Sequence, residues 1–243
     1  MTLRGSLPVT IAAAVLGVAL LAVARATSET SPPAPEPTPF SPTRPPRDPL
    51  PLMPGPLASE PARLPFEPVR WRQSRSLGLP WAGRLEAGVQ LPREGRTFFT
   101  WDPVLRRSPS RAWRQVGSDR LVRTVLRVLG QFAHAHPHAP RIGIGDLSRP
   151  AGGDFGIRYG RPGHVSHQNG LDVDLYYPRL DRRERPPRRV AQIDRRLAQE
   201  LVDRFVRAGA SHVFVGPSTG LTGPPRIVQP LAHHDNHLHV RLR

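Results

Sequence analysis

Residues 164–174 read HVSHQNGLDVD, and residues 233–242 read HHDNHLHVRL. Towards the end of each stretch, apolar residues alternate with Asp or His, which is the period of a β-strand with one face in the core. The alternation predicts that the carboxylates and imidazoles lie together on the opposite face. The residues that share this polar face are Asp172 and Asp174 in the first stretch and His237 and His239 in the second.

These residue types predict a metal site. Gly170 permits a turn that would bring His167 back over Asp174, and an adjacent strand would add His239. Two imidazoles and a carboxylate, with a fourth position open, are a ligand arrangement of catalytic zinc. The chain has no Cys, which excludes thiolate ligands and nucleophiles. A Ca²⁺ site fits poorly because imidazole dominates the ligand set.

The surrounding sequence predicts two helices and several short strands. Residues 119–134 carry an apolar stripe at helical spacing behind the N-cap Ser118, and residues 190–208 form a second helix that ends at Gly209. This order predicts an α+β domain, a small and mostly antiparallel β-sheet flanked by helices, with the zinc site on the sheet. The predicted strands cover residues 141–145, 171–176, 212–215 and 238–242.

The N-terminal segment indicates export. Arg4 precedes an apolar run over residues 11–23, and residues 24–26 (ARA) fit a cleavage site. Residues 1–26 are therefore predicted to be a signal peptide or, if uncleaved, a signal-anchor. Residues 27–68 are rich in proline and are predicted to be a disordered linker.

The charge of the chain limits some functions and leaves others open. All 35 basic residues are Arg and the formal net charge is +16, so a phosphate-binding loop lysine, a Schiff base and a Ser–Lys dyad are excluded. The charge fits either a GC-rich genome or an anionic environment. The arginine-rich residues 179–189 are predicted to be a solvated loop or, alternatively, a polyanion contact.

The two His/Asp stretches resemble the signatures of a known family. Residues 166–174 and 237–243 are similar to the two signatures of the penicillin-insensitive murein endopeptidases, whose superfamily also contains lysostaphin-type peptidases, D-Ala-D-Ala metallopeptidases and the hedgehog signalling domain. The resemblance covers roughly residues 74–243. It also includes the segments 76–78, 88–92 and 145–153.

The resemblance implies a zinc metallopeptidase domain over residues 69–243 that binds one zinc ion through His167, Asp174 and His239. It implies that peptidoglycan is the substrate and that the cross-link between D-alanine and diaminopimelate is cut. The protein would then be a D,D-endopeptidase in the periplasm or outside the cell, with no membrane contact beyond an N-terminal anchor. The implied fold agrees with the fold predicted from the patterns.

The resemblance also implies roles for residues around the metal. His237 is the implied catalytic histidine and would act as base and then as acid, because the sequence has no His-Glu-x-x-His helix to supply a glutamate base. His234 would stabilise the oxyanion or orient the substrate, and His164 would line the site. Four supporting residues are predicted: Asp172 and Asp235 would hold a ligand imidazole through its second nitrogen, and Gly152 and Gly153 would line the cleft.

Several alternatives remain at the level of the sequence. A D,D-carboxypeptidase of the same superfamily would differ only in its cleft walls, and a non-catalytic wall-binding module would use the zinc structurally. Residues 216–220 (GPSTG) match a serine-hydrolase elbow, but residues 223–225 (GPP) prevent the helix that must follow it. A nucleic-acid partner is not expected, because the chain has an export signal and no recognition motif.

Overall fold

The computed structural model describes residues 68–156 and 165–243. The predicted signal segment, residues 27–67 of the predicted linker and His164 lie outside the described residues. Neither α-helix in the described ranges is long and apolar enough to serve as a membrane span.

A six-stranded sheet forms the centre of the described domain. Its strands are β4 (Phe98–Thr100), β6 (Ile142–Ile144), β7 (Asp172–Tyr176), β8 (His212–Val215), β9 (Val228–Pro230) and β10 (His237–Arg241). They pair in the order β4–β6–β7–β10–β8–β9. The three inner pairings are antiparallel, and the two edge pairings are parallel. The prediction of a mixed α/β fold with a mostly antiparallel sheet is thereby confirmed.

Two small antiparallel ladders, which the sequence analysis did not predict, accompany the sheet. The first pairs β1 (Arg75–Leu79) with β2 (Ala82–Glu86), and the second pairs β3 (Val89–Gln90) with β5 (Val116–Gly117). The backbone N–H of Leu85 in β2 donates to the carbonyl of Ala151 at 3.0 Å. This hydrogen bond joins the first ladder to the chain segment that leads towards His167.

Helix α1 (Asp119–Ala135) begins and ends close to its predicted bounds. The Ser118 hydroxyl accepts a hydrogen bond from the backbone N–H of Leu121 at 3.1 Å, which satisfies one of the free donors at the helix start. The apolar stripe packs into the core of the domain. Its buried members include Leu121, Val122, Val125, Val128, Leu129 and Phe132.

Helix α2 (Arg195–Arg207) is shorter than predicted, and the start at Val190 was wrong. Val190–Gln192 forms a single 3₁₀ turn, and the extended backbone of Ile193 then separates this turn from the helix. Asp194 is the N-cap, because its carboxylate accepts from the N–H of Leu197 at 3.1 Å. Gly209 has φ 86° just after the C-cap, as its predicted role as helix stop requires.

The core lies on one face of the sheet. Val173 and Leu175 of β7 and Leu238 and Val240 of β10 are fully buried in the same cluster as the apolar residues of both helices. Because side chains alternate along a strand, Asp172, Asp174, Tyr176, His237 and His239 face the other way. The helices therefore support one face of β7 and β10, and the chemistry-bearing residues occupy the opposite face.

Candidate metal centre

Three potential metal ligands converge on the polar face of the sheet. The Nε2 atom of His167 lies 3.4 Å from Oδ1 of Asp174, and Nδ1 of His239 lies 3.3 Å from the same oxygen. All three donor atoms fall within 4.8 Å of one another, and all three residues are buried. This spacing allows the three atoms to coordinate a single ion.

Strand register and a tight turn produce this convergence. Asp174 and His239 are direct partners in the β7–β10 pairing, so their side chains project side by side. His167 precedes β7 and returns over it through a turn in which His167 and Gly170 have φ of 71° and 74°. The positive φ at Gly170 favours glycine, and a Cβ there would also crowd the Leu85 side chain at 2.7 Å and the Ser118 backbone nitrogen at 3.1 Å.

The second nitrogen of each ligand imidazole has a defined partner. Nδ1 of His167 donates to the carbonyl oxygen of Leu147 at 2.5 Å. Nε2 of His239 donates to Oδ1 of Asp172 at 3.1 Å. With these nitrogens engaged, His167 Nε2 and His239 Nδ1 are the ring atoms that face Asp174, and they are the ones that a metal ion would bind. Such outer partners orient and strengthen metal-binding imidazoles.

Asp172 connects several parts of the site. Its Oδ2 accepts the backbone N–H of His167 at 3.1 Å, and its Oδ1 also accepts a hydrogen bond from Nε of Arg241 at 2.7 Å. Burial alone would raise the pKa of the Asp172 carboxyl, but the hydrogen bond from His239 and the charges of His239, His167 and Arg241 lower it below its usual range. Asp172 is therefore a fixed anion beneath the two imidazoles.

The electrostatics of the cluster favour a cation. Burial lowers the pKa of His239, but its bonds to Asp172 and Asp174 outweigh burial and raise this pKa to about 9. The two carboxylates thus stabilise positive charge at the point where the donor atoms meet. Two imidazole nitrogens and one carboxylate oxygen match the ligand chemistry of zinc and similar divalent transition metals, so the residues present fit such an ion.

His237 and His234 border the three ligands. His237 Nε2 lies 3.8 Å from Oδ1 of Asp174, and its Nδ1 donates to Oδ1 of Asn236 at 2.7 Å. The ring of His234 lies 4.6 Å from that of His237 and 6.0 Å from that of His239 between centroids. The structure therefore groups six of the eight predicted histidine and aspartate site residues: only Asp235 lies apart, and His164 is outside the described residues.

The nearest described neighbours of Asp235 and Gly152 are residues other than the ligand imidazoles. The Asp235 carboxylate accepts the N–H of Ser218 at 3.1 Å instead of holding a ligand imidazole, because the 216–220 turn packs against it. A Cβ on Gly152 would lie 2.1 Å from the carbonyl oxygen of Gln168, so this glycine packs closely against the turn that carries His167. A Cβ on Gly153 would meet no described atom within 4 Å.

Sequence reasoning missed a layer of residues that supports His167. The ring of Phe155 stacks on the ring of His167, with 5.7 Å between the two centroids. The Arg114 guanidinium in turn lies over Phe155, 5.1 Å from the centroid of its ring. Arg114 is 2% exposed and forms a two-point ion pair with Asp146 at 2.6 and 2.5 Å. No periodicity connects these residues to the His/Asp stretches, so the sequence held no signal for them.

Tyr176 was also missed, although the alternation that identified Asp174 extends to it. Its ring meets the His237 ring edge-on at 6.1 Å, and the two residues are partners in the β7–β10 register. Burial, together with the negative charges of Asp146 and Asp174, raises the Tyr176 pKa well above its ordinary value. Tyr176 is therefore a neutral phenol beside the site.

The fold and the donor cluster together define an α+β domain with a candidate metal centre flanked by two further histidines. Residues 76–215 match the family model for the penicillin-insensitive murein endopeptidases. The chain belongs to this family. The match includes His167 and Asp174 and ends before β10, which supplies His239.

Individual relatives agree with the family match. The chain is 32% identical over 160 residues to the penicillin-insensitive murein endopeptidase of Escherichia coli O157:H7 (strain EC4115 / EHEC), covering 54% of each protein. It is 32% identical over 126 residues to the protein of the same name from Yersinia enterocolitica, covering 41% of this chain and 44% of that one. The chain therefore spans about half the length of the curated relatives it matches.

Proposed function

We propose that this protein is an exported, zinc-dependent murein D,D-endopeptidase that hydrolyses the cross-link between D-alanine and diaminopimelate in peptidoglycan. The observation that carries the proposal is the convergence of His167, Asp174 and His239 within 4.8 Å beside His237. The names of the similar proteins, penicillin-insensitive murein endopeptidases, support the choice of substrate.

One zinc ion would be held by His167, Asp174 and His239. The chemistry that bound zinc supplies is Lewis-acid polarisation of the scissile carbonyl and activation of water near neutral pH. Asp172 and the Leu147 carbonyl fix the imidazole tautomers that such binding requires. The buried setting strengthens electrostatic interactions with a reacting group.

His237 is the proposed general base. Because its Nδ1 donates to Asn236, its Nε2 carries the lone pair and faces the carboxylate of Asp174 across 3.8 Å. From this position Nε2 can take a proton from the attacking water and deliver it to the departing amine. Asn236 holds the ring in the orientation that both transfers need.

His234 has two possible roles in this scheme. Its Nδ1 donates to the Ala232 carbonyl at 2.8 Å, which fixes the ring next to His237. As an imidazolium it would stabilise the oxyanion, and as a neutral ring it would orient the substrate. The His234→Gln variant separates these roles, because loss of oxyanion stabilisation lowers kcat whereas loss of orientation raises KM.

Export is part of the proposal. Peptidoglycan lies outside the cytoplasmic membrane, so an enzyme that cuts it must cross or be anchored in that membrane. The layout of residues 1–26, with Arg4 before an apolar run and a small-residue cleavage site, supports this location. Residues 27–68 would act as a proline-rich tether between the membrane side and the catalytic domain.

The test is a digest of purified, cross-linked muropeptide dimers by the full chain, with metal content determined in parallel. We expect dimers to become monomers, chelator to stop the reaction, and His237→Ala to retain about one zinc while losing activity by a factor of about 100 or more. His138→Ala is the matched control, because His138 is an exposed residue after α1. It should behave as wild type.

The same digest distinguishes the alternatives. Shortened pentapeptides with intact cross-links would identify a D,D-carboxypeptidase and refute the endopeptidase assignment. Bound zinc without any cleavage would favour a non-catalytic wall-binding module. A protein that binds no zinc under any loading condition would overturn the site assignment as well as the function.

A further inference from the structure

A cavity of about 360 Å³ is lined by two residues that contact the proposed catalytic histidine, His237. Asn236, which accepts the hydrogen bond from His237, lines this cavity. Tyr176, whose ring contacts that of His237, lines it as well. The cavity is therefore separated from His237 by a single layer of side chains, those of Asn236 and Tyr176.

The wall facing away from the sheet is strongly basic. Arg106, Arg185 and Arg188 line the cavity, and all three are exposed. Among the described residues, none of these three guanidinium groups forms an ion pair, and no Asp or Glu lines the cavity. Trp101 supplies an apolar side wall. The cavity thus combines three positive charges with an aromatic surface.

The acidic residues of the same loop have other partners. Glu184, the neighbour of Arg185, accepts two hydrogen bonds from Arg141 at 2.7 and 2.6 Å. Asp181 pairs with the buried Arg179 at 2.7 Å. Because these carboxylates are held elsewhere, the charges of Arg185 and Arg188 remain available to an anionic ligand at the cavity.

Both sides of the cavity are anchored by buried charged residues. On one side, the Asp102 carboxylate accepts the N–H groups of Val104 and Leu105 at 3.0 and 2.9 Å and pairs with Arg111, which fixes the turn that carries Arg106. On the other side, Arg179 donates to Gln192 at 2.9 Å. These contacts hold the basic walls in place before a ligand arrives.

We propose that this cavity binds the free carboxylate on the leaving side of the cleaved peptide bond. The ligand identity rests on the proposed function. In a D-alanyl–diaminopimelyl bond, the carbon that bears the departing amine also bears a carboxylate. A proton delivered by His237 to that nitrogen would place the carboxylate next to Asn236. Guanidinium groups bind carboxylates through paired, charge-assisted hydrogen bonds.

The experiment compares two variants of the zinc-loaded full chain that carry the same charge change. Arg185→Gln/Arg188→Gln removes two cavity residues, and Arg183→Gln/Arg189→Gln removes two arginines of the same loop that do not line the cavity. The substrates are a cross-linked muropeptide dimer and the same dimer with the leaving-side carboxylate converted to an amide.

We expect the cavity variant to raise KM for the acid dimer about tenfold or more, which is the scale of a lost charge-assisted hydrogen bond. Wild type should lose a similar factor on the amide dimer, whereas the cavity variant should treat the two dimers alike. The control variant should retain the wild-type preference. A variant that is merely misfolded would not lose discrimination selectively.

Equal KM values for wild type and the cavity variant would overturn the proposal, as would an equal loss in the control variant. Calorimetric titration of the acid dimer into the chains separates this result from a failure of the proposed activity. Binding that depends on Arg185 and Arg188 without cleavage would support the subsite and refute the endopeptidase. Cleavage that is indifferent to both arginines would refute the subsite and leave the endopeptidase standing.

Discussion

Asp172 determines the orientation of two proposed metal ligands although it does not coordinate the ion itself in our assignment. It accepts from the His239 ring at 3.1 Å and from the His167 backbone at 3.1 Å. We predict that Asp172→Asn lowers zinc affinity about 10- to 100-fold, the usual scale for an outer partner of a metal-binding imidazole. Competition with a fluorescent zinc chelator measures the change.

Asp235→Asn is the matched control for this prediction. Each aspartate lies within one of the two His/Asp stretches, but the Asp235 carboxylate accepts from the Ser218 N–H, whereas that of Asp172 accepts from a ligand imidazole. An amide oxygen can still accept the Ser218 N–H, so zinc affinity should be unchanged. If the two variants lose affinity equally, Asp172 has no special part in orienting the ligands.

The sequence predicted the residues of the site that share a strand with one another. Alternation along β7 and β10 predicted that Asp174 and His239 face away from the core, because the period of a strand follows from local sequence. In the structure they are direct partners in the β7–β10 pairing. Arg114 and Phe155 were not predictable, since they reach His167 only through the path of long loops. Tyr176 was within reach of the same alternation, and extending the pattern by one pleat would have found it.

At the scale of elements, the segment of residues 145–153 packs against the turn that carries His167 and holds this turn in place. Gly152 has φ 67°, and a Cβ there would lie 2.1 Å from the Gln168 carbonyl and 2.6 Å from the Leu85 nitrogen. We predict that Gly152→Ala lowers the free energy of unfolding by about 2–4 kcal/mol, because backbone atoms must move apart. It should also weaken zinc binding through displacement of His167. Urea unfolding and zinc competition measure the two effects.

Gly153→Ala supplies the comparison. This residue also has a left-handed backbone, with φ 78°, but its Cβ would meet no described atom within 4 Å. Its cost should be limited to about 1–2 kcal/mol of backbone strain, and zinc affinity should stay at the wild-type value. Similar losses of zinc affinity in both variants would argue against a packing role for Gly152.

The Asp102 turn should respond to acid. Burial raises the pKa of Asp102, but hydrogen bonds from Arg111 and from the Leu105 N–H outweigh it and lower the pKa below its ordinary 3.8. A depressed folded-state pKa stabilises the protein above the unfolded-state value and loses this contribution as pH falls through the folded-state value. The stabilisation by Asp102 should therefore be complete near neutrality and decline below about pH 4.

Asp102→Asn tests this dependence. In urea unfolding near pH 7, we expect the variant to be less stable by about 1–3 kcal/mol, the range for losing charged hydrogen bonds to a buried group. The difference between wild type and variant should shrink as the pH falls from about 4 to about 2, because protonated Asp102 resembles the amide. A difference that stays constant over this range would contradict the assigned pKa direction.

Elements with strong local signals were predictable, and elements defined by partners were not. The stripe of α1 and its cap at Ser118 specify a helix without tertiary information. The start of α2 was predicted too early because the apolar spacing continues through Val190 and Ile193, which pack on the core but are not part of the α-helix. Strands β3 and β5 contain two residues each and exist only through their mutual pairing, so no local pattern could identify them.

For the whole molecule, the two faces of the sheet divide stability from chemistry. The face that carries Val173 and Val240 packs against both helices in one cluster of buried hydrophobic side chains. The opposite face brings charged residues from separate segments to one buried point. Such an arrangement concentrates two carboxylates and two imidazoles, which a bound cation would neutralise and hold together.

Zinc should therefore stabilise the folded domain as a whole. The three proposed ligands come from a loop, from β7 and from β10, and they converge only in the native state, so an ion that binds them shifts the folding equilibrium. At a zinc concentration about 1,000 times the dissociation constant, the gain is about 4 kcal/mol, which corresponds to a rise in Tm of about 10 °C for a domain of this size. Thermal unfolding with zinc or with chelator measures it.

The His167→Gln variant determines whether this stabilisation comes from the proposed site. Gln at this position removes the Nε2 donor, so the zinc-dependent rise in Tm should fall to a small fraction of the wild-type rise. His138→Ala, which changes an exposed histidine, should retain the full rise. If zinc raises the Tm of the His167→Gln variant as much as that of wild type, the stabilising ion binds elsewhere and the three-ligand assignment is wrong.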